Sequence, residues 1–220
     1  SRKIMPDTFS VSLILISIYY GSNYLDEKKT KLHLTLYFLF GLIGFLAKLP
    51  IGYLFILMVP FILDRKIERK RKMIFSLVSI FIIVPVAYWY FYWVPYLVKE
   101  YGFWHFYMGN TFTEGFQLLF SQIPQLLDRF YQTALKFIGF LVFCFGLFKV
   151  YQTNNKRLKM IFGFTGLGIF VIMVKAGFAF PHHSYYMIPY VPVMALIAGF
   201  GLTLISNKKI AALLLIAILI

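Results

Sequence analysis

The chain has 220 residues, of which 60% are hydrophobic, and its mean hydropathy is +0.77. This composition is far more apolar than that of soluble domains and predicts a polytopic α-helical membrane protein. The net charge of +14 does not indicate nucleic-acid binding, because the basic residues lie in short blocks between apolar runs. Cys144 is the single cysteine, so the chain by itself predicts neither a disulfide nor a cysteine metal site.

Both ends of the sequence predict a fragment of a longer protein. The sequence starts at Ser1 without a methionine and stops at Ile220 inside an apolar run. About eleven apolar residues are too few to cross a bilayer. We therefore expect the last span to be truncated.

Blocks of basic residues predict the orientation of the spans. Residues 64–72 contain six Lys and Arg residues between two apolar runs, which indicates a cytoplasmic loop under the positive-inside rule. The apolar runs then predict about seven spans, at residues 9–24, 34–47, 51–63, 73–92, 134–151, 160–174 and 187–205. This arrangement places 15 of the 22 Lys and Arg residues inside and 7 outside. The predicted fold is an all-α, polytopic transmembrane bundle that forms one domain over residues 1–220.

Two of the apolar runs, 34–47 and 51–63, meet around Lys48 and Pro50. Together they are too long for one span, and a proline disfavours helical conformation at the residue before it. The sequence therefore predicts a helical hairpin with Lys48 at its outer tip. Each arm is shorter than the roughly 20 residues of a straight span, so a re-entrant pair or an indentation that opens outward stays an alternative.

Residues 93–133 are predicted to form an extracytoplasmic interfacial segment. Its start is rich in Trp and Tyr, as membrane interfaces are. Farther on, apolar residues recur at helical spacing, at Phe116, Leu119, Phe120 and Ile123, which predicts an outer amphipathic helix. Such a helix can anchor the protein at the interface, wall a groove for a lipid substrate, or do both.

The predicted topology places several polar features on the same, outer side of the membrane. Asp7 lies just before the first span and Lys48 lies at the hairpin tip, while a polar cluster precedes the span at 187–205. Each also has a purely structural interpretation. Asp7 is a good helix N-cap residue, and Lys48 can extend its ammonium group to the membrane surface.

The polar cluster contains His182, His183, Tyr185 and Tyr186. Adjacent histidines in an extended segment point apart, and no third ligand follows at a recognisable spacing, so we predict no metal site in the chain. Hydrogen bonding to a phosphate or a sugar is the favoured interpretation, and a histidine can also carry a proton. The tyrosines supply hydroxyl contacts or belong to an interfacial aromatic belt.

Three sequence elements together resemble a family of membrane enzymes. Arg2-Lys-Ile-Met-Pro-Asp7 is similar to an Arg-x-x-x-(Pro/Thr)-(Asp/Glu) element, and Gly44-Phe-Leu-Ala-Lys-Leu-Pro50 resembles a Leu-(Thr/Ala)-Lys-Gly-Pro element. The third element, His183-Ser-Tyr-Tyr-Met-Ile-Pro-Tyr-Val-Pro192, resembles His-x-Tyr-Tyr-Leu-x-Pro-x-x-Pro. The chain thus resembles C-superfamily glycosyltransferases of the protein-mannosyltransferase and aminoarabinose-transferase group. Leu49 stands where this family usually has glycine.

The resemblance implies a function at the outer membrane face. Such enzymes transfer a sugar from a polyprenyl-phosphate carrier to a lipid or protein acceptor, here in the bacterial inner membrane. By resemblance, Lys48 contacts the carrier phosphate and Asp7 positions it or the acceptor, with Arg2 as a further phosphate or sugar contact. The four residues of the polar cluster line the same cavity.

The resemblance also implies what this chain lacks. The principal catalytic carboxylate of the family lies in an outer loop upstream of Ser1, so we expect the fragment alone to be inactive and assign no catalytic residue within it. No cofactor is predicted, and a divalent metal held by the upstream region stays an alternative.

Two other functions are compatible with a polytopic helical chain. A transporter or flippase for lipid-linked saccharides needs polar groups deep within several spans, whereas the mid-span positions here are mostly apolar. A structural membrane subunit would use the polar residues only as helix caps and interfacial anchors.

Overall fold

The computed structural model describes residues 6–26, 30–102 and 109–219. These residues form helices and no strand, which confirms the predicted all-α class. They divide into two compact units, Ser1–Met108 and Gly109–Ile220. The single transmembrane domain that the sequence predicts over 1–220 stays a prediction.

The first unit is built from long helices joined by short connections. Its helices are α1 (Asp7–Leu25), α2 (Lys31–Ala47), a 3₁₀ segment (Leu49–Met58) that leads into α3 (Val59–Leu63), α4 (Arg69–Tyr88), a π-helical turn (Trp89–Trp93) and α5 (Val94–Tyr101). Its buried apolar core joins α1, α2, the 3₁₀ segment and α4 through Leu25, Tyr37, Met58, Phe75 and Ile82.

The hairpin predicted around Lys48 is confirmed. Phe45 on α2 lies against Gly52, and farther from the tip the ring of Tyr37 is 6.0 Å from that of Phe55. Positions before and after Lys48 therefore pair in reverse order, as they do in an antiparallel hairpin. Lys48 itself is extended and interrupts the two arms.

The helix that starts at Arg69 continues beyond the predicted span of 73–92. It runs through the π-helical turn to Tyr101. Pro85 lies inside it, and a proline deprives the ladder of one N–H and displaces the carbonyl of the preceding turn. The wider π-helical turn begins four residues later, which is a common response to such a defect. The first part of the predicted outer segment is therefore a helical continuation of α4.

The second unit combines long and short helices and contains one sharp bend. Its helices are α6 (Phe112–Phe120), α7 (Ile123–Asp128), a π-helical segment (Arg129–Ala134), α8 (Lys136–Gln152), α9 (Lys156–Ala176), α10 (Ala179–His182), a 3₁₀ turn (Ser184–Met187), α11 (Val191–Thr203) and α12 (Lys208–Leu219). The chain bends by 98° where the π-helical segment meets α8.

The predicted amphipathic helix is present, but it is shorter than its sequence pattern. α6 ends at Phe120, and Ile123 begins α7, because Pro124 has no N–H with which to continue the α6 ladder. The prediction that Ile123 shares this helix is therefore wrong. Leu119 is buried while Phe116 and Phe120 are exposed, so α6 packs on its neighbours and still presents aromatic rings outward.

Only some of the predicted spans are long enough to be recognised as single membrane-crossing helices. Among the described residues, Arg69–Tyr101 and Lys156–Ala176 have the required length and apolarity, and the bent pair 123–134 and 136–152 adds a third if it counts as one span. Shorter apolar helices cover Lys31–Ala47, Leu49–Leu63 and Val191–Thr203. A membrane-spanning helical fold is confirmed, and the number of about seven spans stays a prediction.

Helices α8 and α11 approach each other so closely that only glycine fits at their contact. A Cβ atom added to Gly146 would lie 2.2 Å from the carbonyl oxygen of Ile197, and one added to Gly201 would lie 2.8 Å from Cα of Gly146. Small residues that allow backbones to approach are a general device for packing helices in membranes.

We expect Gly146→Ala to destabilise the protein by roughly 1–3 kcal/mol, since α8 must move away from the α11 backbone. Gly199→Ala is the matched control, because nothing lies within 4 Å of a Cβ added there and alanine favours the helix by up to about 1 kcal/mol. Thermal unfolding of the purified full-length protein in detergent measures both. Equal midpoints for the two variants would contradict the close α8–α11 contact.

Candidate functional site

Two buried serines fix how α1 lies against α2. Oγ of Ser10 donates a hydrogen bond to the carbonyl oxygen of Gly44 at 2.6 Å, and Oγ of Ser17 donates to that of Tyr37 at 2.7 Å. Both serine side chains are fully buried. A hydroxyl without a partner in apolar surroundings costs free energy, so these two bonds disfavour any other antiparallel register of the two helices.

This register brings Asp7 to Lys48. Nζ of Lys48 lies 3.4 Å from Oδ1 of Asp7. The carboxylate is 2% exposed and the lysine side chain is 25% exposed. The structure therefore joins two of the predicted site residues in an ion pair that is buried on the acidic side and partly exposed on the basic side.

The end of α2 shows why Lys48 projects at this point. Pro50 cannot donate the hydrogen bond that the carbonyl of Leu46 would receive in a continuing helix. Instead, Oη of Tyr90 donates to this carbonyl at 2.8 Å. Tyr90, in the π-helical turn that follows α4, thus satisfies a backbone carbonyl at the end of α2, and the chain leaves the helix at Lys48.

The second oxygen of Asp7 marks a place for a hydrogen-bond donor. Oδ2 is buried, and no described residue donates a hydrogen bond to it. A buried carboxylate oxygen in this state carries a desolvation cost of about 1–3 kcal/mol or more. Arg2, the other site residue predicted near Asp7, lies outside the described residues.

The second unit holds the other predicted site residues in a short aromatic turn. His182 ends α10 and stacks on Phe178 with ring centroids 4.1 Å apart, whereas His183 stacks on Tyr185 at 5.2 Å. Tyr185 in turn stacks on Tyr186 at 4.8 Å. Both histidines are exposed and both tyrosines are half-buried. The turn therefore presents imidazole and phenol groups at its surface.

Arg129 is a component of this turn that the sequence interpretation missed. Its Nε donates a hydrogen bond to the carbonyl oxygen of Pro181 at 2.7 Å, and its Nη1 contacts Oγ1 of Thr133 at 3.4 Å. The guanidinium thus ties the π-helical segment to the backbone just before His182. Arg129 is the single arginine of residues 93–133, and a charged residue in a largely apolar region is the signal that would have identified it.

Lys175 of α9 is a second cation that contacts the backbone within this unit. Nζ of Lys175 donates to the carbonyl oxygen of Asn110 at 2.5 Å. The next residue, Thr111, forms a capping box with Glu114 at the start of α6. The hydrogen bonds from Thr111 lower the pKa of the Glu114 carboxyl. This Thr-x-x-Glu spacing is a sequence signal for the start of a helix, and the sequence interpretation missed it.

The arrangement of the histidines bears on metal binding. Their rings stack on different partners, Phe178 for His182 and Tyr185 for His183. Across residues 6–26, 30–102 and 109–219, no group of three or more His, Cys, Asp or Glu side chains is placed to hold a metal ion. The predicted site residues described here and Arg129 offer hydrogen bonding, and Lys48 and Arg129 also offer positive charge.

Comparison with known families finds a match within the first unit. Residues 1–89 match the family of dolichyl-phosphate-mannose-protein mannosyltransferases. This region is mannosyltransferase-like. The match includes Asp7 and Lys48, and it supports a membrane glycosyltransferase in general terms, as the sequence predicted. The turn at residues 182–186 lies outside it. No curated protein and no solved structure matches the chain.

A double-mutant cycle tests the Asp7–Lys48 pair. We expect Asp7→Asn and Lys48→Gln each to destabilise the protein by roughly 1–3 kcal/mol, because each leaves a partly buried partner without its counter-charge. The double variant should lose clearly less than the two single losses added together. Denaturant unfolding in detergent measures the four proteins.

Lys66→Gln is the matched control for this cycle, because it removes the charge of an exposed lysine and should change stability by less than about 0.5 kcal/mol. Additive losses in the cycle would show that Asp7 and Lys48 do not interact.

Proposed function

We propose that this protein transfers a sugar from a polyprenyl-phosphate-linked donor to a lipid or protein acceptor at the extracytoplasmic face of the membrane. The Asp7–Lys48 pair at the hairpin tip carries this proposal. Both residues lie in the region that matches the mannosyltransferase family, and the resemblance of the sequence elements around them implies this chemistry. The family match favours an enzyme over the transporter or flippase.

Lys48 has the chemistry that a departing lipid phosphate requires. When the bond between sugar and phosphate breaks, negative charge accumulates on the phosphate. A fixed cation at that position stabilises the transition state more than the ground state. The ammonium group is compact and carries three donors, and a quarter of the lysine side chain is exposed. We assign it to the phosphate of the donor.

Asp7 holds that cation and offers a second contact. Its Oδ1 faces Lys48, and its buried Oδ2 receives no hydrogen bond from a described residue. Because Oδ2 is buried, a hydroxyl group of the substrate would satisfy it after neighbouring side chains move aside, while the pair keeps Lys48 oriented. We therefore assign Asp7 a positioning role, and no residue of this chain is proposed as the base that activates the acceptor.

The turn of the second unit supplies a different set of contacts. His182, His183, Tyr185 and Tyr186 present donors and acceptors that suit sugar hydroxyls or a phosphate, and Arg129 anchors the turn through Pro181. We propose that this turn contributes to substrate binding. The outer membrane side that the sequence predicts for it stays a prediction.

Activity of the full-length protein tests the role of Lys48. Membranes containing the protein receive polyprenyl-phosphate-linked radiolabelled mannose, and label in the lipid and protein fractions is counted. We expect Lys48→Gln to lower the rate by roughly 10²–10³-fold, as does loss of one fixed donor to a developing anion. Lys48→Arg, which keeps the charge with a different shape, should retain more activity than Lys48→Gln.

Lys66→Gln provides the control for this measurement, since it removes one exposed positive charge outside the proposed site and should leave the rate unchanged. A normal rate for a folded Lys48→Gln protein would overturn the assignment of Lys48 to the donor phosphate. Transfer to neither fraction by the wild-type protein, with mannose or another lipid-linked sugar, would overturn the proposed reaction.

A further inference from the structure

A basic pocket lies at the end of the first unit away from the Asp7–Lys48 pair. α1 has 19 residues and is therefore about 28 Å long. Asp7 at its start contacts Lys48, and the carbonyl of Leu25 at its end accepts a hydrogen bond from Arg71. The two polar ends of the unit are thus separated by nearly the thickness of a bilayer hydrocarbon core, about 30 Å.

The pocket has a volume of about 420 Å³ and is lined by charged and apolar side chains. Its cations are Lys31, Lys70 and Arg71, and Glu68 is its one carboxylate. Among the described residues, neither Lys31 nor Lys70 forms an ion pair. The lining therefore carries a net charge of +2 that the protein itself does not neutralise in the part of the chain described.

Arg71 is held in place as part of the wall. It is 4% exposed, its Nη1 donates to the carbonyl oxygen of Leu25 at 3.1 Å, and its Nη2 lies 3.7 Å from Oε2 of Glu68. A guanidinium buried in this way is costly without further compensation. An anion in the pocket would supply that compensation without requiring Arg71 to move.

Two helices begin at this pocket. α2 starts at Lys31 and α4 at Arg69, and residue Glu68 before α4 forms no side-chain cap. A helix N-terminus carries partial positive charge and favours anions. Yet α4 opens with four cations, 69–72, at its positive end. This arrangement is unfavourable for the isolated helix and is relieved by a bound anion.

The remaining lining indicates which anion fits. Tyr24, Leu34 and Ile74 add an apolar wall, which suits a ligand that has both a charged and a hydrocarbon part. Basic pockets between membrane helices on the cytoplasmic side bind the head groups of anionic lipids, and the sequence predicts this side for residues 64–72. We propose that the pocket binds the phosphate head group of an anionic phospholipid of the surrounding bilayer. This site is independent of the proposed sugar transfer.

Native mass spectrometry of the full-length protein, released from detergent with added lipid, tests the proposal. The probes are dioleoyl phosphatidylglycerol and dioleoyl phosphatidylcholine. We expect the wild type to bind phosphatidylglycerol more tightly, and Lys31→Gln with Lys70→Gln to weaken this binding about 25-fold. The matched double variant, Lys66→Gln with Lys72→Gln, removes the same charge from residues that do not line the pocket and should stay within about threefold of wild type in physiological salt.

A third variant keeps the test decisive if the pocket double variant fails to fold. Glu68→Gln removes the carboxylate from the lining and should tighten phosphatidylglycerol binding about fivefold. Equal losses in the two lysine double variants, no preference for phosphatidylglycerol, or no gain in a folded Glu68→Gln protein would each overturn the proposal. Complete competition by inorganic phosphate would overturn the lipid as the ligand, because the apolar wall would then contribute nothing.

Discussion

The hydrogen bonds from Ser10 and Ser17 to the α2 backbone are the interaction on which the first unit depends. In an apolar environment, almost any pairing of two hydrophobic helices buries similar area, so area does not select one register. A buried hydroxyl does select it, because a shift of either helix leaves a donor unsatisfied. Continued by one turn, the selected register brings the start of α1 to the end of α2. The Asp7–Lys48 contact is therefore a consequence of two bonds deeper in the helix pair.

The first unit separates its charges into two ends with different character. At one end, a carboxylate and an ammonium face each other where α2 ends at Lys48. At the other, several cations gather around the beginnings of α2 and α4 with a single carboxylate among them. The first arrangement is balanced and retains one buried acceptor oxygen. The second is unbalanced and open to an anion. The two ends correspond to the two proposals made above, a donor phosphate at Lys48 and an acidic lipid head group at the basic pocket.

Much of this organisation could be predicted from residue patterns. The all-α class and the hairpin at Lys48 follow from apolar run lengths and the proline at position 50, and the distribution of basic residues predicts that Asp7 and Lys48 lie on the same side. The ion pair between them came from the structure. The helical spacing of apolar residues wrongly extended α6 to Ile123, because that spacing does not show that Pro124 lacks a backbone N–H. The capping box of Thr111 and Glu114 was present in the sequence as a known spacing and could have placed the start of α6. The spacing of Ser10 and Ser17, two turns apart on one helix face, was a similar unused signal.

By itself, the sequence determined the all-α class, which residue interrupts the hairpin and which family the first 89 residues resemble, because these depend on local composition and short spacings. Only the tertiary structure decided which partners the polar groups take. Tyr90 caps the end of α2, Arg129 holds the backbone before His182, and Arg71 forms the wall of the basic pocket. Each of these contacts joins residues 44 or more positions apart in the chain. No local pattern specifies them, because they arise when packed helices leave buried backbone carbonyls that require a donor.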